Sequence, residues 1–240
     1  MDAALHVSME TGQPTMQRPT FWQRVGEARV AAEPFRLLAA TPSLLRRRTG
    51  SPRTVIVLPG LGAADGSTAP MRRFLARVGH RPLPWTLGRH LKNPQETVPR
   101  FVPVAADAIA LHGEPVALVG WSLGGIVARE TARLMNEAQP GSVDLVVTFG
   151  TPVEGPRYTM AGRAYTPEEL DEIDLVIAER RGEPIGCDIV AIHSRKDGVV
   201  GHLPVIDRHT PGVTNLEVAS SHMGMGIDRD VWTAVADALG

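Results

Sequence analysis

The chain has 240 residues, enough for one well-buried domain, and its 25 basic and 26 acidic side chains leave a net charge of −1. That balance gives no electrostatic footprint for nucleic acid or another anionic polymer. A single cysteine, Cys187, excludes an internal disulfide framework, and with aromatics at only 5 % the core must be built from Val, Leu, Ile and Ala, which suits a parallel sheet buried on both faces.

Residues 1–20 carry Gln, Thr, Pro and Met without periodicity and read as a disordered tail. They contain no apolar core of a secretory signal, so the expected address is cytoplasmic, where a reduced Cys187 also belongs. Residues 21–50 form an N-terminal extension of helical composition, interrupted at Pro34 and Pro42. Its apolar Val25, Phe35, Leu37, Leu38, Leu44 and Leu45 alternate with arginines and end at Arg46-Arg47-Arg48. Two short helices packed on the main domain fit this better than one basic helix on a membrane surface, because two prolines prevent a continuous apolar stripe. Peripheral membrane contact through 21–48 is the alternative.

The main domain, 51–240, opens with a strand at Thr54–Leu58 that runs into the turn Pro59-Gly60-Leu61-Gly62. A helix over Thr68–Val78, a short strand over Arg81–Trp85 and a helix from Asn93 to His112 follow. The apolar run Val116–Val119 ends at Gly120, and a helix continues from Ile126 to Glu137. Val143–Phe149 is a strong strand. The next strand, at Asp188–Ser194, begins too far away for a simple loop. Residues 155–185 therefore read as a small helical cap, with Thr166 as N-cap, Pro167 in the first turn and an apolar inner stripe of Leu170, Ile173 and Ile177. A last strand at Asn215–Ala219 and a helix at Asp228–Leu239 close the chain. Strands alternating with helices of this length predict an α/β fold with a doubly wound, mostly parallel sheet.

Residues 116–125 read V-A-L-V-G-W-S-L-G-G. The pentapeptide G-x-S-x-G is weak evidence alone. Between a buried strand and a helix it has the context of a nucleophile elbow, a strained turn that lifts the Ser122 Oγ above the sheet. Glycines at 120 and 124 let strand and helix approach the turn, and the helix N-terminus favours developing negative charge. In open parallel sheets, catalytic groups gather at the carboxyl ends of the strands. Asp197 and His222 each lie just beyond such an end, in the order nucleophile, acid, histidine. Among other histidines, His202 follows no strand, His209 lies in a polar loop and His193 precedes the acid. His6, His80, His90 and His112 have no catalytic context. The Gly60–Gly62 turn is placed to offer the Leu61 N–H to an oxyanion, with the Leu123 N–H as second donor. Trp121, Met223 and Met225 flank the catalytic positions and suggest an apolar acyl pocket, although Trp121 suits core packing beneath the elbow equally well. Phosphate-loop, dinucleotide and H-E-x-x-H patterns are missing from the sequence, so no cofactor or metal is expected.

Together, V-I-V-L-P-G-L-G (55–62), V-G-W-S-L-G-G (119–125), S-R-K-D-G-V-V (194–200) and S-S-H-M-G-M (220–225) make the chain resemble serine hydrolases of the α/β-hydrolase fold, lipase/esterase-like members above all. The resemblance spans residue 50 to the C-terminus. It implies an acyl-enzyme on Ser122 and a small-molecule or lipid ester substrate. Many members begin the oxyanion loop with His-Gly where this chain has Pro59-Gly60, which bears on the subfamily rather than on the backbone donors. Some relatives carry the acid one strand earlier, which makes Glu154 the rival to Asp197; Asp207 is a third choice. A carboxylic ester hydrolase is the expected activity. A thioesterase or acyltransferase on the same acyl-enzyme and a non-catalytic binding protein are the alternatives.

Overall fold

The computed structural model describes residues 18–240 apart from 48 and 92, so the tail up to residue 17 and Arg48 lie outside the described residues. In chain order it contains α1 (Phe21–Gly26), a 3-10 turn (Glu27–Ala32), α2 (Glu33–Leu44), β1 (Thr54–Leu58), α3 (Asp65–Val78) and β2 (Arg81–Pro84). Next come α4 (Pro94–His112), β3 (Val116–Trp121), α5 (Leu123–Ala138) and β4 (Val143–Phe149). The chain ends with α6 (Pro167–Glu179), β5 (Asp188–Ser194), β6 (Val213–Val218) and α7 (Arg229–Leu239).

The six strands form one parallel sheet in the order β2-β1-β3-β4-β5-β6. Apolar side chains occupy both faces, as a sheet covered on both sides requires. Val55, Val57, Val119 and Val147 point to one face and pack with Phe74, Leu75, Trp232 and Val235 of α3 and α7. Ile56, Leu58, Leu118 and Val146 point to the other and pack with Phe101, Val127, Ala128 and Ala132 of α4 and α5. The strand order reverses between β1 and β3, and in open α/β sheets the crevice at such a reversal, beyond the carboxyl ends, is where ligands bind.

Several capping choices are visible. Asn93 accepts from the Glu96 N–H, and Thr166 forms a reciprocal capping box with Glu169, with proline in the first turn of each helix. The buried Asn136 donates to the carbonyls of Val143 and Ile185 and accepts from the Val143 N–H at 3.0 Å, which fastens α5 to the start of β4 and to the chain returning from α6. In the extension the prolines do not interrupt the helix as expected. Pro34 falls in the first turn of α2, where its missing N–H leaves no intrahelical bond unmade, and Pro42 lies in the last turn. The break comes earlier, in the 3-10 turn. Residues of α2 bury Ala40 and Leu44 in the core while Phe21, Trp22, Phe35 and Leu38 stay exposed. Among the described residues no helix is long and apolar enough to cross a membrane.

Candidate active site

Ser122 stands between β3 and α5 with φ 53° and ψ −121°, a left-handed conformation that a residue with a side chain adopts only under constraint. Several contacts impose it. The Ser122 N–H donates to the Phe149 carbonyl at 2.9 Å, and the Ser122 carbonyl accepts from Thr151 Oγ1 at 2.9 Å. A Cβ on Gly120 would lie 2.4 Å from the Gly125 Cα, and one on Gly124 would lie 2.6 Å from the Pro59 carbonyl oxygen. Only glycine allows either approach.

The three side chains singled out in the sequence meet at the carboxyl edge of the sheet. His222 Nε2 lies 3.1 Å from Ser122 Oγ, and His222 Nδ1 lies 2.7 Å from Asp197 Oδ2. Asp197 has no solvent-exposed surface, and its second oxygen accepts from the N–H groups of Val199, Val200 and Gly201 at 2.9, 2.7 and 3.2 Å. Both oxygens of the buried carboxylate are thereby hydrogen-bonded, which offsets much of the cost of burying it. Burial is the largest influence on His222 and opposes its charged form. The charge and hydrogen bond of Asp197, with a smaller contribution from Glu27, outweigh it and hold the pKa above the ordinary histidine value.

The rival acids sit elsewhere. Glu154 pairs with Arg181 at 3.0 Å and with His209 at 3.4 Å. Asp207 forms a buried pair with Arg129 at 2.5 Å and caps the N–H groups of His209 and Thr210.

Gly60 abuts Ser122: a Cβ there would touch the Ser122 Cβ at 3.5 Å. Among the described residues neither the Leu61 N–H nor the Leu123 N–H has a hydrogen-bond acceptor, and Leu123 opens α5. The turn that carries Leu61 is braced by a residue the sequence reading passed over. His90 Nδ1 lies 2.7 Å from the Pro59 carbonyl oxygen, its N–H donates to the Ala63 carbonyl at 2.8 Å, and its carbonyl accepts from the Gly62 N–H at 2.7 Å. Burial pushes the His90 ring below the usual histidine pKa, in keeping with a neutral Nδ1–H donating to that carbonyl.

The expected acyl-pocket residues separate. Met225 is fully buried in the core against α3 and α7, in a 3-10 turn that directs it away from the surface, so it offers a substrate nothing. Trp121 packs beneath the elbow, stacked on Phe149 with ring centroids 6.4 Å apart, and Met223 is 51 % exposed beside the N-terminal extension. A cavity of about 600 Å³ opens instead between α5 and α6, lined by Leu123, Ile126, Ile173, Val176 and Ile177 and rimmed by charged side chains. Leu170 of the expected inner stripe is buried and is not part of that lining. Cys187 is half-buried, and burial pushes its thiol up to about 12, so it is no nucleophile.

A family model described as a PGAP1-like alpha/beta domain matches residues 95–167. No curated protein sequence matches the chain significantly. Solved structures do. The type II thioesterase BorB from the borrelidin biosynthetic cluster aligns with a TM-score of 0.57 at 22 % identity, over 81 % of this chain and 94 % of that one. Lipase B of Aspergillus fumigatus gives 0.60 at 17 % identity over 81 % of this chain, which spans 56 % of that lipase. The Bacillus licheniformis lipase BlEst2 gives 0.59 at 14 % identity over 79 % of this chain and 94 % of that one. The fold is that of the α/β-hydrolases.

Proposed function

We propose that this chain is a serine hydrolase that cleaves a carboxylic ester with an apolar, short-to-medium acyl group through an acyl-enzyme on Ser122. The observation that carries the reading is the unbroken line from Ser122 Oγ through His222 to Asp197, at 3.1 and 2.7 Å. His222 Nε2 takes the hydroxyl proton as Oγ attacks the ester carbonyl, while Asp197 holds Nδ1–H and stabilises the imidazolium. The oxygen of the tetrahedral intermediate settles on the Leu61 and Leu123 N–H groups. Collapse expels the alcohol, which leaves with the proton from His222. Water then gives a proton to the same imidazole, attacks the Ser122 ester and releases the acid. Neutral imidazole is the working form, so the raised pKa of His222 puts the rise of kcat/KM at a higher pH than an ordinary histidine would.

The apolar lining of the cavity between α5 and α6, which includes Leu123 directly after Ser122, supports an apolar acyl group. Several of its rim charges pair with one another, as in Arg181–Glu154 and Arg180–Glu130. Thioester cleavage or acyl transfer would use the same acyl-enzyme, and the thioesterase among the structural neighbours favours that second reading. A panel of nitrophenyl esters and acyl-CoAs, each with and without an alcohol acceptor, separates the two. Faster turnover of acyl-CoAs, or ester formation with the alcohol, would replace the first reading by the second.

A further inference from the structure

The carboxylate of Glu27, in the 3-10 turn between α1 and α2, sits between the loops that carry Asp197 and His222. Its Oε1 accepts from the Gly198 N–H at 2.7 Å and from the His222 N–H at 2.9 Å, and its Oε2 accepts from the Met223 N–H at 3.0 Å. Gly198 directly follows the acid. One side chain of the extension therefore ties the main chain beside the acid to the main chain of the base. Among the described residues these N–H groups have no other acceptor. Hydrogen bonds to a carboxylate are roughly twice as strong as neutral ones, so the link is firm. The backbone next to it is tightly seated: a Cβ on Gly198 would lie 2.3 Å from the Gln23 carbonyl oxygen.

Resting on the serine-hydrolase reading, we propose that Glu27 is a positioning residue that sets the spacing of the acid and base loops and so holds His222 against Ser122. The N-terminal extension is then part of the working site. Two consequences separate this role from that of a plain brace. Spacing of the base affects the chemical step, so its loss lowers kcat more than it raises KM. The charge acts on the ring as well: the ionisable groups that face His222 are Asp197, from the loop after β5, and Glu27. Removing the negative charge of Glu27 lowers the His222 pKa and moves the acid limb of kcat/KM to lower pH.

The test uses the full chain, a nitrophenyl ester and a thermal melt followed by circular dichroism, after fluorophosphonate labelling of the wild type. Glu27→Gln keeps the shape and removes the charge. It is expected to lower kcat roughly ten- to a hundredfold at nearly constant KM, with the acid limb displaced to lower pH. Arg36→Ala, which removes the ion pairs from the extension to Asp228 and Asp230, is expected to lower Tm while leaving kcat and the limb in place. Wild-type kcat in Glu27→Gln, or a lower kcat with an unmoved limb, overturns the proposal. If Glu27→Gln does not fold, Glu27→Asp decides: reduced kcat with a wild-type limb supports the role, and wild-type kcat overturns it. A wild-type chain that takes no label instead sinks the hydrolase reading on which the inference rests.

Discussion

Asp197 turns one carboxylate oxygen to His222 Nδ1 at 2.7 Å and commits the other to three backbone N–H groups of its own loop. The Asp197 carboxylate is thus held from both sides. Asp197→Asn keeps the volume but replaces an acceptor of Nδ1–H by an amide that can present a donor. Loss of the imidazole tautomer is expected to lower kcat roughly ten-thousandfold. Glu154→Gln, whose side chain pairs with Arg181 and His209, is expected to change kcat less than threefold, about what loss of a rim ion pair entails. Steady-state kinetics on the two variants checks this, and the reverse ranking would move the acid to the end of β4.

His90 holds the turn that presents the Leu61 N–H. His90→Ala frees the Pro59 carbonyl and leaves a void beside Trp85, whose ring centroid is 4.6 Å from that of His90. The expected result is a kcat lower by roughly tenfold or more through a displaced oxyanion donor, with a smaller change in KM. A change confined to Tm would show that the turn keeps its shape without the imidazole.

The centre of the sheet was legible because its strands are mostly apolar runs closed by glycine, as in Val116–Gly120 and Val143–Gly150. The helix Pro167–Glu179 announced itself through Thr166, Pro167 and Glu169, a local code that needs no tertiary information. Ser122, Asp197 and His222 were readable for a related reason: each follows a strand, and the fold brings strand ends together. What failed depended on direction or distance. Met225 is close to His222 in sequence, but a 3-10 turn rotates it into the core. Glu27 lies 195 residues from its partner His222, and a glutamate in a helical stretch looks like a solvated surface charge until the loops it joins are seen. His90 likewise acts on a turn 31 residues away, with no local signal.

Stability should also respond to pH through the extension. Glu33 is buried beneath the His222 loop, and its pKa is raised by burial first and then by the hydrogen bond and charge of Asp228, with Arg36 opposing. Above the ordinary glutamate value the folded chain binds more of this proton than the unfolded chain, so this contribution to stability is present at low pH and is lost as pH rises through the folded pKa. Glu33→Gln mimics the protonated form and can still donate to Asp228. It is expected to raise Tm at pH 8 and to flatten the alkaline decline, read by thermal melts from pH 5 to 8. A lower Tm across that range would show that the charged form is the one the site prefers.

The cavity between α5 and α6 sets a chain-length expectation. Each buried CH₂ contributes about 0.8 kcal/mol, so kcat/KM should rise on the order of a hundredfold from acetyl to hexanoyl esters. The gain should stop once the acyl group outgrows a space of about 600 Å³. Ile173→Asp, placed in the cavity wall, should weaken the hexanoyl ester far more than the acetyl ester. A flat profile from C2 to C6 would mean that the acyl group binds elsewhere.

Fluorophosphonate labelling of wild type and Ser122→Ala shows whether Ser122 Oγ is the nucleophile. Ser122 is half-buried at a turn and belongs to neither apolar core cluster, so the variant should melt as the wild type does. We expect one stoichiometric label on Ser122 in the wild type, no label on the variant and loss of nitrophenyl ester turnover with it. Labelling or turnover that survives in a folded Ser122→Ala protein would contradict Ser122 as the nucleophile.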